Sequence, residues 1–237
     1  MDFSRFEKEN GLNFANKELL KQAFVHRSYI NENPNLGISH NERLEFLGDA
    51  VLELVVTEYL YKTYPKKTEG EMTALRAALV NANTLADAAA DIGMEGFMLL
   101  SKGEARSLPS VKQASSTKAG QYILANAFEA IVGAIYIDSD YETVSAFLKK
   151  NLLPKIKNII EKKLWIDAKS FFQEKAQEVD GITPEYKVIK EVGPDHEKRF
   201  TVGVFLGEEK VAEGEGMSKQ ESEQDAAREA LSKKGWG

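Results

Sequence analysis

A chain of 237 residues, 43% hydrophobic and 29% charged, has enough apolar surface for a core and the length for one large domain or two modest ones. It has no cysteine and only three histidines, His26, His40 and His196, which excludes disulfides, thiolate zinc sites and a histidine-cluster metal centre. The net charge of −6 gives no bulk support to nucleic-acid binding, and a metal held here needs oxygen ligands, which favours Mg²⁺, Mn²⁺ or Ca²⁺.

Charge is unevenly spread. Residues 167–237 carry 11 Lys and Arg against 16 Asp and Glu, net −5, leaving 20 and 21 before them, net −1. The longest apolar run, Ala130 to Ile137, is eight residues, well short of a bilayer span, and the opening MDFSRFE is acidic with no apolar stretch behind it. Neither a membrane association nor a secretory signal is expected, and the absence of cysteine fits a cytoplasmic protein.

In chain order, the apolar spacing predicts a helix over 16–31, with Pro34 beyond its end, and a longer one from His40 to Tyr64, followed by Pro65. An Ala-rich helix is expected over 69–92 without interruption. The polar stretch from Ser101 to Lys118, with Gly103 and Pro109, reads as a loop. Helix returns from Gln121 to Tyr136 and again from Tyr141 to Lys163, Pro154 notwithstanding. After Asp167 the period changes. A helix around Phe171, Phe172 and Ala176 precedes three strands, Tyr186 to Val192, Arg199 to Leu206 and Lys210 to Gly216, with a turn at Gly207-Glu208-Glu209. A last helix starts at Ser218, where Ser218-Lys-Gln-Glu221 spells a capping box. The expected fold is multidomain: an all-helical domain over 1–154, a helical linker over 155–166, and an α-β-β-β-α domain over 167–237.

The residues able to do chemistry concentrate on two helices. In HNERLEFLGDAVLEL, His40 to Leu54, the acids Glu42, Glu45 and Asp49 share one face among apolar neighbours. Acids so crowded are protonated, paired with cations or bound to a metal. Two structural alternatives stand beside a metal site: Ser39-His-Asn-Glu42 is itself a capping box, and Arg27, Arg43 or Arg76 is available to pair with Glu45 and Asp49. The second helix, ILANAFEAIVGAIY from Ile123 to Tyr136, places Asn126 and Glu129 one turn apart in otherwise apolar sequence. A lone Glu among Phe128, Ala130, Ile131 and Val132 needs positive charge beside it. Two helices presenting inward oxygen ligands is the way helical bundles hold carboxylate metal sites.

The run NERLEFLGDAVL closely resembles the signature of the ribonuclease III family of double-strand-specific endoribonucleases. The second acidic helix and AFVHRSY, Ala23 to Tyr29, resemble the same family. The tail is similar to a double-stranded-RNA-binding domain, with ITPEYKVIKEVGPDHEKRFTVGVFL and GEGMSKQESEQDAAREAL in the expected order. The resemblance implies Asp49 and Glu129 as catalytic residues and Glu45, Asn126 and Glu129 as metal ligands. Glu42 and Glu69 become supporting acids of the catalytic valley. It also implies Mg²⁺ as cofactor with Mn²⁺ as substitute, no small-molecule cofactor, a homodimer, and double-stranded RNA as partner. Cleavage would leave 5′-phosphate and 3′-hydroxyl ends, in the processing of ribosomal, messenger and other RNA precursors. Asn126 departs from the family pattern, which has Asp there, so a catalytically silenced RNA-binding protein is the alternative function.

In the tail the resemblance assigns RNA contacts to Gln173 and Glu174 of the first helix, to His196 in the loop Gly193-Pro194-Asp195-His196, and to Ser218, Lys219 and Gln220 at the start of the last helix. That helix start is usually Lys-rich; here Lys219 is its only cation. Weak, salt-sensitive binding through the tail is the expectation.

Overall fold

The structure is a computed structural model that describes residues 2–107, 117–193 and 198–236. Two units, Met1–Trp165 and Ile166–Gly237, each enclose their own core.

The first unit is helical: α1 (Phe3–Asn10), α2 (Lys17–Ala23), α3 (Arg27–Glu32), α4 (Glu42–Thr63), α5 (Glu69–Leu79), α6 (Ala82–Asp91), α7 (Lys102–Ser107), α8 (Lys118–Asp138), α9 (Tyr141–Asn151) and α10 (Ile156–Glu161). At its centre lies α8, whose Leu124, Phe128, Ile131 and Val132 are fully enclosed by α4, α6 and α2. By length and composition α8 is apolar enough to cross a membrane, although its longest unbroken apolar run is short; here its apolar surface is buried in the core.

Three expected helices are cut, by a tertiary bridge, by a side-chain cap and by proline. The helix expected over 16–31 breaks at Phe24 to His26, because Val25 bridges Leu99 in parallel and the His26 amide donates to the Leu99 carbonyl at 3.0 Å. The helix expected over 69–92 divides into α5 and α6, with the Asn81 side chain accepting the Thr84 amide to cap the second piece. Pro154 has no amide hydrogen to give to a helix interior, so the stretch from Tyr141 to Lys163 becomes α9, a 3-10 turn over Leu153–Lys155, and α10. The residues expected to link the domains are instead partly core: Ile156 and Ile159 of α10 are buried with the first unit. The polar stretch from Ser101 to Lys118 opens with α7; of the rest, residues 108–116 lie outside the described residues.

The second unit follows the expected order. Helix α11 (Ala168–Val179) precedes β1 (Glu185–Val192), β2 (Arg199–Leu206) and β3 (Glu209–Gly216), an antiparallel sheet in the order β1-β2-β3, and α12 (Lys219–Lys234) closes it. Phe172 and Ala176 of α11 and Ala226, Ala227 and Ala230 of α12 bury Val204, Leu206 and Ala212 of the sheet. Ser218 caps α12 by accepting the Glu221 amide at 3.2 Å. The return bond of the box is displaced by one residue, since the Glu221 carboxylate accepts from the Met217 amide at 2.9 Å.

Candidate active site

Two glycines bring the acids of α4 and α8 together. A Cβ on Gly48 would stand 1.7 Å from the Glu129 carbonyl oxygen, and one on Gly133 would stand 2.2 Å from the Leu44 carbonyl oxygen. Only hydrogen at both positions lets the helix backbones touch. The contact carries Glu45, one turn before Gly48 on α4, and Asp49, the residue after it, to Glu129 on α8. Sequence reasoning passed over these glycines; the signal was two glycines inside strongly helical stretches, where each costs up to about 1 kcal/mol relative to Ala without a packing reason.

Electrostatics report the same meeting. The Glu129 carboxyl is pushed up to about 7, first by burial and then by Asp49 and Glu45. Glu45 is raised as well, by burial and by Glu42 and Asp49. Asp49 is exposed, while Glu45, Asn126 and Glu129 are half-buried. Asn126 lies one turn before Glu129, on the same face of α8.

The structural alternatives fall away. Ser39 does not cap α4; the cap position is Asn41, fixed there because its amide donates to the Val25 carbonyl at 2.9 Å and its side chain donates to the Ala23 carbonyl at 3.2 Å. The Glu42 carboxylate instead stands 3.6 Å from both Arg27 and His40. Arg76 donates to the Thr57 hydroxyl at 3.1 Å. Among the described residues no Lys or Arg pairs with Glu45, Asp49 or Glu129.

Glu69 stands apart, at the first turn of α5. It accepts from the Thr73 hydroxyl at 2.9 Å and lines a groove with Thr57, Tyr61 and Arg76, about two turns of α4 beyond Asp49. Among the described residues no three His, Asp or Glu side chains converge closely enough to hold a metal ion by themselves. The donor set nevertheless fits a hard divalent cation: three carboxylates and one amide oxygen, with a desolvated Glu129 among negative neighbours.

In the second unit Gln173 and Glu174 are exposed on α11, and Lys219 and Gln220 are exposed at the start of α12 beside the capping Ser218. His196 lies outside the described residues. Sequence reasoning also missed Glu191, which stands 3.8 Å from Lys219 and 3.1 Å from Lys198.

An acidic seam between two core helices, followed by an α-β-β-β-α unit, defines the class as a helical nuclease domain with an attached RNA-binding domain. The profile of the Ribonuclease-III-like family matches residues 16–156, and that of the double-stranded RNA binding motif matches residues 168–234. Ribonuclease 3 of Carboxydothermus hydrogenoformans is 41% identical over 95% of this chain and 92% of its own, and Ribonuclease 3 of Streptococcus pneumoniae strain G54 is 43% identical over 94% and 92%. The nuclease domain of ribonuclease III from Campylobacter jejuni, solved in work on its region involved in dimer formation, superposes with a TM-score of 0.53 at 35% identity, over 65% of this chain and 99% of that one. The chain belongs to the ribonuclease III family and is an endoribonuclease of double-stranded RNA. The silenced-binder alternative is not favoured, since Glu45, Asp49 and Glu129 are all present beside Asn126.

Proposed function

We propose that this endoribonuclease cuts duplex RNA at the seam between α4 and α8. Asp49 and Glu129 serve as the catalytic carboxylates, and Glu45, Asn126 and Glu129 hold Mg²⁺, for which Mn²⁺ substitutes. The observation that supports this most strongly is Glu129, a half-buried carboxyl pushed up to about 7 with negative neighbours and no cationic side chain among the described residues to offset them. A divalent ion, when bound, supplies the missing positive charge and polarises the phosphodiester. Asp49, exposed at the mouth of the seam, orients the attacking water and accepts its proton on a carboxylate oxygen. Leu44 and Phe128, each buried one residue before an acid, keep the floor of the seam dry and strengthen its electrostatics. Glu42 and Glu69 support the substrate from the margins. Displacement of the 3′-oxygen leaves 5′-phosphate and 3′-hydroxyl ends.

The working form is a homodimer. Phe46 is 83% exposed, and with Leu54 and Tyr61 it forms an apolar stripe along one face of α4 that continues into the groove of Thr57, Met72 and Arg76. Two copies of the acidic seam related by a two-fold axis match the two strands of a duplex. The Campylobacter nuclease domain, whose fold this unit shares, has a region involved in dimer formation.

End-labelled duplex RNA incubated with the full chain, with and without Mg²⁺, tests the reading. Mg²⁺-dependent fragments bearing 5′-phosphates are expected; cleavage undiminished in chelator overturns the metal assignment.

A further inference from the structure

Within the net charge of −5 of the tail, two lysines converge on one carboxylate. Lys198 stands just before β2, and Lys219 is the first residue of α12. Both ammonium groups turn to one carboxylate on β1: Lys198 Nζ is 3.1 Å from Glu191 Oε2 and Lys219 Nζ is 3.8 Å from Glu191 Oε1. Glu191 pairs in register with Phe200, and both ammonium groups lie 5.9 Å from the centre of the Phe200 ring. Three segments thus bring two cations to one anion above an aromatic floor. The trio remains open to solvent, with side-chain exposures of 37% for Glu191, 35% for Lys198 and 60% for Lys219.

One carboxylate is shared by two ammonium groups. The Glu191 carboxyl is held below the usual carboxylate range, chiefly by its hydrogen bond with Lys198 and with help from Lys219. Its two oxygens present to the lysines what the non-bridging oxygens of a phosphodiester present: a compact anion with two acceptors. Exposed ion pairs of this kind contribute little to stability, so exchanging one anion for another is cheap.

We propose that Glu191 is an internal stand-in for an RNA phosphate: it holds Lys198 and Lys219 together in the free protein, and a backbone phosphate of the duplex takes its place between them on binding. The proposal rests on the tail binding duplex RNA. It makes Glu191 a brake on that binding and Lys198 a phosphate contact, although neither stands on the Lys-poor helix start where such contacts are expected.

The test is fluorescence anisotropy of the full chain, in chelator to prevent cleavage, with an RNA duplex of about 20 base pairs, longer than the ~16 one such domain spans. Affinity is measured over a series of KCl concentrations. Glu191→Gln is expected to bind about three- to tenfold tighter at low salt, with the slope of log K against log salt steeper by up to about one, the effect of removing the carboxylate that competes with a phosphate for the two lysines. Lys198→Gln and Lys219→Gln should each weaken binding and flatten the slope. The gain from Glu191→Gln should vanish in the Lys198→Gln/Lys219→Gln background. A gain that survives there reflects general charge and overturns the proposal, as does equal or weaker binding by a Glu191→Gln chain with an unchanged melting temperature. If Glu191→Gln melts early, the lysine variants decide alone: unchanged affinity and slope in both reject the proposal. The first unit has its own core, so a chain ending before Asp167 separates the two readings. If it binds the duplex as well as the full chain does, the RNA-binding role of the tail fails; if it binds more weakly while the lysine variants are neutral, only the Glu191 proposal fails.

Discussion

Gly48 lies so close to the Glu129 backbone that a Cβ there would stand 1.7 Å from the Glu129 carbonyl oxygen. The atom that Gly48 lacks is therefore what allows the acids of two helices to share one seam. Gly48→Ala should force α4 and α8 apart, destabilising the protein by about 1–3 kcal/mol despite the better helix propensity of Ala, and lowering cleavage further than the loss of folded protein explains. Gly70, in the first turn of α5 with nothing within 4 Å of a built Cβ, is the control, and Gly70→Ala should be neutral or slightly stabilising. Urea unfolding of the two variants measures the difference; equal stability would mean the close approach is not needed.

Stability without metal should depend on pH through Glu129. Its carboxyl is raised in the folded state, from the usual 4.5 to about 7, so the folded protein holds this proton more tightly than the unfolded chain. The resulting stabilisation is full below about 4.5 and is lost as pH rises through about 7. Allowing for solvent screening of a half-buried group, the change is on the order of 1–2 kcal/mol. Glu129→Gln should remove this fall and melt above the unsubstituted chain at pH values beyond 7 in chelator. Identical pH profiles for the two chains contradict the burial of this acid.

Asn126→Asp should reverse sign with metal. A carboxylate there adds a negative charge beside Glu129, which lowers stability in chelator and raises it in Mg²⁺. Half-maximal cleavage should move to an about tenfold lower Mg²⁺ concentration, the effect of roughly 1.4 kcal/mol of added binding energy. Cleavage rate against Mg²⁺ for both chains is the measurement. Superimposable curves place Asn126 outside the ligand set. A chain inert at every Mg²⁺ concentration until Asn126→Asp restores cutting would revive the silenced binder.

Removal of the tail should weaken binding without abolishing cleavage at low salt. The first 166 residues hold 20 of the 31 cations and every acid of the seam. Truncation before Asp167, assayed at low salt and high Mg²⁺, should retain activity and lose it more steeply than the full chain as salt rises. Complete inactivity at low salt shows that the tail is required.

Much of the second unit was readable because alternation at Phe200, Val202, Val204 and Leu206 is local, as is the Ser218 cap. The long α4 and the acids on its face were equally plain. The breaks at Val25 and Asn81 were not, since one depends on a bridge to Leu99 and the other on an asparagine that reads as tolerable within a helix. The supposed cap at Ser39 failed because bonds from Asn41 back to Val25 and Ala23 set the helix start. Glu191 was invisible as a partner of Lys219 because the sheet, not spacing along the chain, brings them together. Acidic residues could be found by periodicity within a helix; which acids face one another was decided by Gly48 and Gly133.

The most direct test of the seam as the catalytic centre is Glu129→Gln, a substitution that removes the charge while keeping volume and the α4–α8 contact. Duplex RNA is incubated with the substituted and unsubstituted chains in Mg²⁺ and the products resolved on a gel, with anisotropy measured in parallel. Cleavage should fall by at least about a hundredfold, the scale on which positioned acid–base groups act, while RNA affinity stays within about twofold. Mg²⁺-dependent turnover near the unsubstituted rate would contradict the assignment of Glu129 and, with it, the seam between α4 and α8 as the site of cutting.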